Sequence, residues 1–548
     1  MNRFFVYGSW LFLYLFGWLI QGVAQDTSGK QTIEIVSAYK PVFRDAQKLN
    51  YSAVPLPPSS EKITFNYQLP VKPLYLRLVP ANLQASKRQP DSILINSKEN
   101  YLKIGYGNLR SPVIGAGLAF GSGKDFAFQV TADHFSQRGS LRVQRFTKTD
   151  LKGNFSINGQ KHSLSGSLLY QHQASWLYAR DSSLLLSKED SLRKPYTTSG
   201  IQMSWRNRQV TDFGLGYNPS VRFVFFNDGR SIEKNMRFQI PLEFHAGKDY
   251  LLLMQTNLDF TFFNPRNNAA YTNHIYDIKA GLLVRKQNWS MQASVMPVWS
   301  GQQLFVMPDI TATIRIKEEA LKFIAGWKGS VQKNNYEALA SINPWINQPL
   351  IQFNTRVKQL YGGLKGLINN QLQYQVQFGF QQLLDQPLFE NSLRPSVFQI
   401  RREARLNSMQ AKGELTYRWD QRLELNASTE INNYFGQKTE QAPWHLIPLR
   451  LNTSVSWKPV TALNVRADLH AWSGGFYKSS LSGEKDRLKS VIDLNTGVEY
   501  RFTDGFLSWI QFSNVLNNFY ERWFAYPVFG FQIHAGIKLI FDRKLFGR

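Results

Sequence analysis

Phe529-Gly530-Phe531-Gln532-Ile533-His534-Ala535-Gly536-Ile537-Lys538-Leu539-Ile540-Phe541 alternates with a period of two. Phe529, Phe531, Ile533, Ala535, Ile537, Leu539 and Phe541 fall on one face. Gly530, Gln532, His534, Gly536 and Lys538 fall on the other. Successive side chains of a strand point to opposite faces, so this stretch is a strand with one greasy and one polar side. The same pattern recurs upstream. Leu463, Val465, Ala467, Leu469 and Ala471 oppose Asn464, Arg466, Asp468, His470 and Trp472, and Leu423 to Ile431 and Tyr276 to Arg285 alternate in the same way. The period selects strand over helix.

A soluble sandwich also alternates, and three further features separate the two cases. The alternating runs reach 10 to 14 residues, whereas ordinary strands run about 5–6 and a tilted membrane-spanning strand needs about 9–11. The polar faces carry full charges beside small residues, as a wet lumen allows. Finally, the connections alternate short and long. The short ones are 121–125, 158–160, 206–212, 247–249, 286–288, 317–320, 367–371, 419–421, 458–460 and 503–505, rich in Gly, Asn, Asp or charge as tight hairpins require. Between them lie mostly longer segments: 171–197, 264–273, 332–350, 384–397, 435–447, 473–487 and 517–528. Ten short turns join strands in pairs, and with a first strand near Tyr101–Asn108 and the last one the count is about 22. Trp205, Tyr250, Trp289, Trp419, Trp457, Tyr500 and Phe541 cluster beside the short turns or the end of the last strand, where an aromatic girdle would meet the membrane interface. The fold class expected is all-β, a transmembrane antiparallel β-barrel of about 22 strands occupying residues 101–541.

Composition agrees. The 548 residues hold no Cys, which excludes disulfides, thiolate metal sites and a Cys nucleophile. Aromatics are 14% and charged residues 19%, the latter below the ~25% usual in soluble domains. Mean hydropathy of −0.33 excludes a bundle of membrane helices. At the N-terminus Asn2 and Arg3 precede an apolar run from Phe4 to Ile20 and the small residues Gly22-Val23-Ala24. This reads as a signal peptide, residues 1–24, cleaved near Ala24; a membrane anchor is the competing reading. Export followed by insertion into a second membrane places the chain in the outer membrane. Residues 25–100 form a proline-rich arm, broken by Pro41, Pro55, Pro57, Pro58, Pro70, Pro73, Pro80 and Pro90, and residues 542–548 a basic tail.

The segment Ser513-Asn514-Val515-Leu516-Asn517-Asn518-Phe519-Tyr520, then Ala525-Tyr526-Pro527-Val528-Phe529-Gly530, then a strand ending at Phe541 resembles the C-terminus of TonB-dependent receptors. That family has an N-L-F-N-x-x-Y-like segment, a Y-P-x-x-G-like loop and an aromatic-terminated strand. The resemblance implies a 22-stranded barrel that binds or transports a solute. It also implies a folded plug of well over a hundred residues and a box for the periplasmic energy-coupling protein. Only about 76 residues precede the barrel here, so the chain resembles a plugless or plug-reduced relative. Thr32-Ile33-Glu34-Ile35-Val36 reads either as a strand for pairing with that partner or as a tether. A barrel this wide is normally filled, by the arm, by inward-folded loops or by a partner.

Motifs for chemistry are sparse. Gly121-Ser122-Gly123-Lys124 lacks the first Gly and the Ser/Thr of a phosphate loop, and neither H-E-x-x-H nor G-x-S-x-G occurs. The reading is therefore of a protein that is not an enzyme, with no cofactor and no metal. Arg466, Asp468, His470, His534 and Lys538 are the candidate lumen-facing residues. The net charge of +25 is spread over strands and turns of an exported chain, which argues against nucleic acid. It fits lipopolysaccharide at the outer rim, an anionic solute in the lumen, or a general charge bias without a ligand. Two functions stay open: uptake or binding of a solute, or a scaffold that docks a periplasmic lipoprotein or a surface partner.

Overall fold

The computed structural model describes residues 100–541, except 122–124, 180–187, 267, 351–352, 392–396 and 480–481. The signal peptide, the arm up to residue 99 with its Thr32–Val36 segment, and the tail 542–548 lie outside the described residues. One sheet of 24 antiparallel segments forms the body. Two staves are each split in two, Leu215–Tyr217 with Ser220–Asn227 and Tyr271–Thr272 with Ile275–Arg285, so the wall has 22 staves.

Closure is made by the first strand, Asn100–Gly107, and the last, Gln532–Phe541. They pair from Asn100↔Phe541 to Gly107↔His534. Ten short connections join the strands in pairs on the side where the chain enters and leaves, and eleven connections lie on the opposite side. On the outward faces Ile104, Leu151, Leu252, Ile314, Leu360 and Ile537 are exposed large apolar groups, a belt suited to hydrocarbon. Beside the short turns Trp205, Tyr250, Trp289, Trp419, Trp457 and Tyr500 are 41–49% exposed. Phe541 is half-buried.

The seam is sealed from inside by one ring. Trp509 lies opposite Gly536, which lies opposite Gly105. A Cβ on either glycine would stand inside van der Waals distance of the Trp509 ring, so two bare backbones make the trough that holds it. Lys103 Nζ sits 4.2 Å from that ring's centroid, and Lys538 Nζ 4.6 Å from that of Tyr101. One step toward the outer rim, Gly107 lies between Ser111 and His534, and its missing side chain lets Ser111 Oγ and His534 Nε2 bond at 2.8 Å across the intervening strand.

Several sequence expectations are corrected. The first strand starts at Asn100, whose Oδ1 accepts the Ala119 N–H at 2.7 Å. The final strand starts at Gln532, and Phe529 is not lipid-facing. It is 1% exposed and packs with Val113, Phe135, Phe146 and Trp509. The turn expected at 458–460 is at 461–462, because Lys458 and Pro459 form a bulge and Val460 still pairs with Leu463. The loop expected at 384–397 is mostly strand. Leu372–Asn391 and Phe398–Trp419, 20 and 22 residues long, project past the membrane belt. The outer end of the first, Asp385–Asn391, is buried on both faces, so alternation vanishes there and the period-two signal is lost. Three connections on the long-loop side, 108–110, 228–231 and 301–302, are as short as the turns on the opposite side.

Gly105→Val should push Trp509 out of its trough and destabilise the closed barrel by roughly 1–3 kcal/mol, the usual cost of overpacking. The check is the temperature at which the folded band is lost in a heat-modifiability gel, which should fall.

Candidate functional site: the outer cap and the pocket beneath it

The outer connections fold together over the mouth. Tyr178 comes from 177–192, Trp345 from 333–354 and Tyr526 from 514–531; these loops leave the wall about a third of the circumference apart. They nevertheless meet: the Trp345 and Tyr526 rings stack at 4.0 Å and 21°, and Tyr178 meets Tyr526 edge-on at 5.1 Å. Groups from separate thirds of the ring can touch only across the lumen. Phe226, Phe263, Tyr336, Phe389, Phe398 and Trp523 complete this aromatic hub. The Pro527 carbonyl accepts from Tyr178 Oη and Gln144 Nε2, both at 3.0 Å, and Trp345 Nε1–H donates to the Trp176 carbonyl at 3.0 Å. The Tyr526-Pro527 pair of the C-terminal motif is thus the hub's centre. Asn514 folds the segment that leads to it, accepting from Asn518 N–H at 2.9 Å while its own amide donates to the carbonyls of Asn518 and Phe529.

Carboxylates at the outer ends of the strands hold the loops down. Glu233 accepts from Tyr336 N–H (2.8 Å), Glu337 N–H (3.1 Å) and Asn335 Nδ2 (2.7 Å), so a buried wall acid caps the helix Tyr336–Ile342. Asp228 accepts from Tyr336 Oη at 2.8 Å. Asp259 takes Arg237 at 2.5 Å and the Lys333 ammonium. Glu403, 0% exposed, accepts the backbone N–H groups of Lys438 (2.7 Å), Thr439 (3.1 Å) and Glu440 (2.7 Å), gathering the loop 436–448 around one anion. Asp493 accepts from Tyr520 Oη at 2.8 Å, and Glu390 from Lys478 at 2.8 Å and Arg401 at 2.6 Å.

His445 sits where two of these loops meet. Its Nδ1–H donates to the Phe389 carbonyl at 2.7 Å, which leaves Nε2 as acceptor toward Phe524 N–H at 3.4 Å, and its ring touches Phe398 and Trp523. Burial, reinforced by the Arg522 charge, holds its pKa down at about 3.

Beneath the hub is a polar pocket of about 260 Å³. Arg222 and Arg237 reach it from facing strands, while Lys333, Asn335, Glu337 and Ser341 reach it from the inward-folded loop and its helix. Arg222 and Glu337 are 3.9 Å apart. Burial raises the Glu337 carboxyl, against the pull of Arg222.

The five residues singled out in the sequence line a different part of the wall. Arg466, Asp468 and His470 alternate inward on Leu463–Trp472; His534 and Lys538 do so on the last strand. Arg466, Asp468, His534 and Lys538 are buried, His470 is half-buried, and His470 Nδ1 bonds Asn452 Oδ1 at 2.9 Å. Arg466 and His534 share one cross-strand row with Gly497 and Gln511 between them, so the five occupy one wall without converging on a point. The Ser111–His534 pair has no accessible nucleophile, since Ser111 is 0% exposed. Among the described residues no group of three His, Asp or Glu is set to hold a metal ion.

The sequence did not single out Glu233, Asp259, Glu403, Arg222, Arg237, Lys333 or His445. The strand residues were hidden among ordinary polar-face positions, and the loop residues obey no period.

The fold is shared with solved receptors. The siderophore receptor PirA from Acinetobacter baumannii superposes with a TM-score of 0.63 at 8% identity, over 81% of this chain and 80% of that one. The FrpB iron transporter from Neisseria meningitidis gives 0.63 at 10% identity, over 81% of each chain. A mutant of the ferric enterobactin receptor PfeA from Pseudomonas aeruginosa gives 0.59 at 9%, over 81% and 80%. No family model and no curated protein matches the chain. The chain therefore has the 22-stranded barrel fold of these iron and siderophore receptors.

Two outcomes test the cap. Glu403→Ala should strip three N–H groups of their acceptor, at roughly 1–3 kcal/mol for unsatisfied donors, and expose 436–448 to limited proteolysis while the barrel band persists. For His445 the folded pKa lies below the ordinary value of 6.5. Its contribution is therefore complete above pH 6.5 and is lost as pH falls toward the folded value. Protection of 436–448, taken as the hydrogen-exchange rate relative to the intrinsic rate at the same pH, should fall between pH 7.5 and 5, and His445→Leu should flatten that dependence.

Proposed function

We propose that this protein is an outer-membrane barrel of the TonB-dependent receptor type that takes up a solute bearing negative charge. The carrying observation is the outer cap over a charged pocket: a wide closed barrel is shut on the outside by loops docked on buried carboxylates, and under them Arg222, Arg237 and Lys333, the last two held by Asp259, line a recess with Glu337. Docked loops can be released to admit a solute, and guanidinium and ammonium groups would hold an anion once inside. The named neighbours are receptors and transporters of siderophores and iron, and that class supports uptake over the scaffold reading. Arg466, Asp468, His470, His534 and Lys538 would line the path below the pocket. The arm of residues 25–100 would fill the lumen in place of a folded plug; it is tethered at the first strand, and extended chain spans about 3.3 Å per residue.

The test is ion conductance of the full chain in planar bilayers. Because the cap also closes the mouth, the comparison is made with the cap loosened by Glu403→Ala: removing residues 25–95 in that background should convert a closed barrel into a conducting one. In that open form Arg237→Ala combined with Lys333→Ala should shift selectivity away from anions. Equal conductance of the Glu403→Ala barrel with and without residues 25–95 would refute the arm as the filling, and unchanged selectivity would refute the anion pocket.

A further inference from the structure

Cap and wall meet at a second charged contact, away from the pocket beneath the helix. Arg450 is the second residue of the strand Leu449–Val460 and lies on its inward face, two residues before Asn452, which bonds the lumen-facing His470. Arg522 comes from the outer connection 514–531, in the short strand Glu521–Trp523. Tyr520 carries that connection onto the wall: its ring meets Trp472, the cross-strand neighbour of Arg450, edge-on at 5.1 Å. Arg522 Nη1–H donates to the His445 carbonyl at 3.0 Å, and the guanidinium lies 4.3 Å from the centroid of the Trp523 ring. Burial, reinforced by the Arg450 charge, pushes the Arg522 guanidinium down to about 9. Counted around the wall, the Arg450 strand is eleven staves from that of Arg222 and ten from that of Arg237, on the opposite side of the ring.

The other contacts that seat the cap have a different composition. Glu233, Asp259, Glu390, Glu403 and Asp493 each set an acid of the wall against donors of a loop. Here a wall cation meets a loop cation. The acids on the same elements are engaged elsewhere. Glu521 Oε2 accepts the Ala525 N–H at 2.7 Å, and Asp493 accepts the Tyr520 hydroxyl. Glu430, opposite Arg450 in register, pairs with Lys412 at 3.5 Å. Like charges repel more strongly in a partly enclosed site than in bulk water, so the loop 514–531 is seated against a repulsion at this point. Both arginines are half-buried, so solvent still reaches them. Arg522 gives one N–H to a carbonyl, and a guanidinium carries five.

We infer that Arg450 and Arg522 form a second binding site, which takes an oxyanion group of the solute, a carboxylate or a phosphate, between a guanidinium of the wall and one of the cap. Charge selects this occupant, because an anion placed there turns a repulsive contact into a bridge, and planar guanidinium forks match such oxygens with paired N–H donors. The solute thereby supplies the acid that the protein itself supplies at Glu233, Asp259 and Glu403. A mechanical consequence follows. The connection 514–531 carries Tyr526, the centre of the aromatic hub, so an anion bridging Arg450 to Arg522 tightens the cap from below. The inference deepens the anion-uptake reading proposed above and rests on it.

The experiment is hydrogen exchange of the full chain folded in detergent at pH 7.5, read over 519–526. The Phe524 and Ala525 amides there bond His445 Nε2 and Glu521 Oε2 only when the loop is seated. Separate arms add pyrophosphate, malonate, or sodium chloride at matched ionic strength. The expected result is that pyrophosphate or malonate slows exchange at least about fivefold relative to chloride, as ligand linkage requires, and the more effective of the two tells which oxyanion the site prefers. Arg450→Glu places a carboxylate opposite Arg522, so the segment should be protected without any added anion and should no longer respond to one. Arg450→Gln should remove most of the response. Arg237→Ala combined with Lys333→Ala should leave the response in place, because those groups belong to the other site. All variants should keep the wild-type heat-modifiable band. No difference from chloride in either arm, an Arg450→Glu barrel that is folded yet exchanges as fast as the wild type or still responds, or loss of the response in the Arg237→Ala, Lys333→Ala barrel overturns the inference. If that double variant still shifts anion selectivity in the conductance test, the second site fails alone; if selectivity is also unchanged, the anion-uptake reading fails with it.

Discussion

Hydrocarbon offers a peptide group no hydrogen-bond partner, and every other feature of this molecule follows from that. A sheet surrounded by lipid can have no free edge, so Asn100–Gly107 must find Gln532–Phe541 although more than four hundred residues separate them. The local chemistry at that seam serves the pairing. Gly105, Gly107 and Gly536 keep the closing strands bare where Trp509 lies across them and where Ser111 reaches His534. The side chains that seal the joint come from strands on both sides of it, so closure and interior packing are one event.

Once the wall is closed, its width creates the second problem. Twenty-two strands enclose a space that side chains of the wall alone do not fill, and the outer loops respond by meeting over the opening. Their packing is aromatic at the centre and ionic at the edge. The edge contacts share a logic: a carboxylate fixed on a rigid strand receives the donors of a loop that has little regular structure of its own. Glu403 does this with three consecutive backbone N–H groups, Glu233 with a helix N-terminus, and Asp259 with a lysine. A loop held by a few strong, localised bonds can come off as a unit, which is the mechanical property a gate needs.

The outside of the wall is differentiated too. Small residues interrupt its large apolar side chains in places, as where Ala325 lies opposite Gly362, and between Phe126 and Asn227 the rows step down to glycine and serine and then rise through His and Thr to Arg. The net positive charge therefore includes a local arrangement on one outward sector, distinct from the cations of the inner pocket.

Alternation in stretches such as Phe531–Phe541 and Leu463–Ala471, tight turns such as Gly247-Lys248-Asp249, and the spacing of the interface tryptophans were enough to read a barrel of 22 strands, because lipid on one side and water on the other impose a period of two on every stave. The same logic assigned Arg466, Asp468, His470, His534 and Lys538 to the polar face of their strands. It failed where both faces of a strand are covered, as in Gln386–Asn391, and at Phe529, which continues the alternation but has left the strand. The amino-acid order by itself determined the wall, since each strand's two environments are written in its own residues. Tertiary structure alone decided the cap and the pocket: these join residues from loops and rows far apart in the chain, whose partners are set by barrel register and not by any local period.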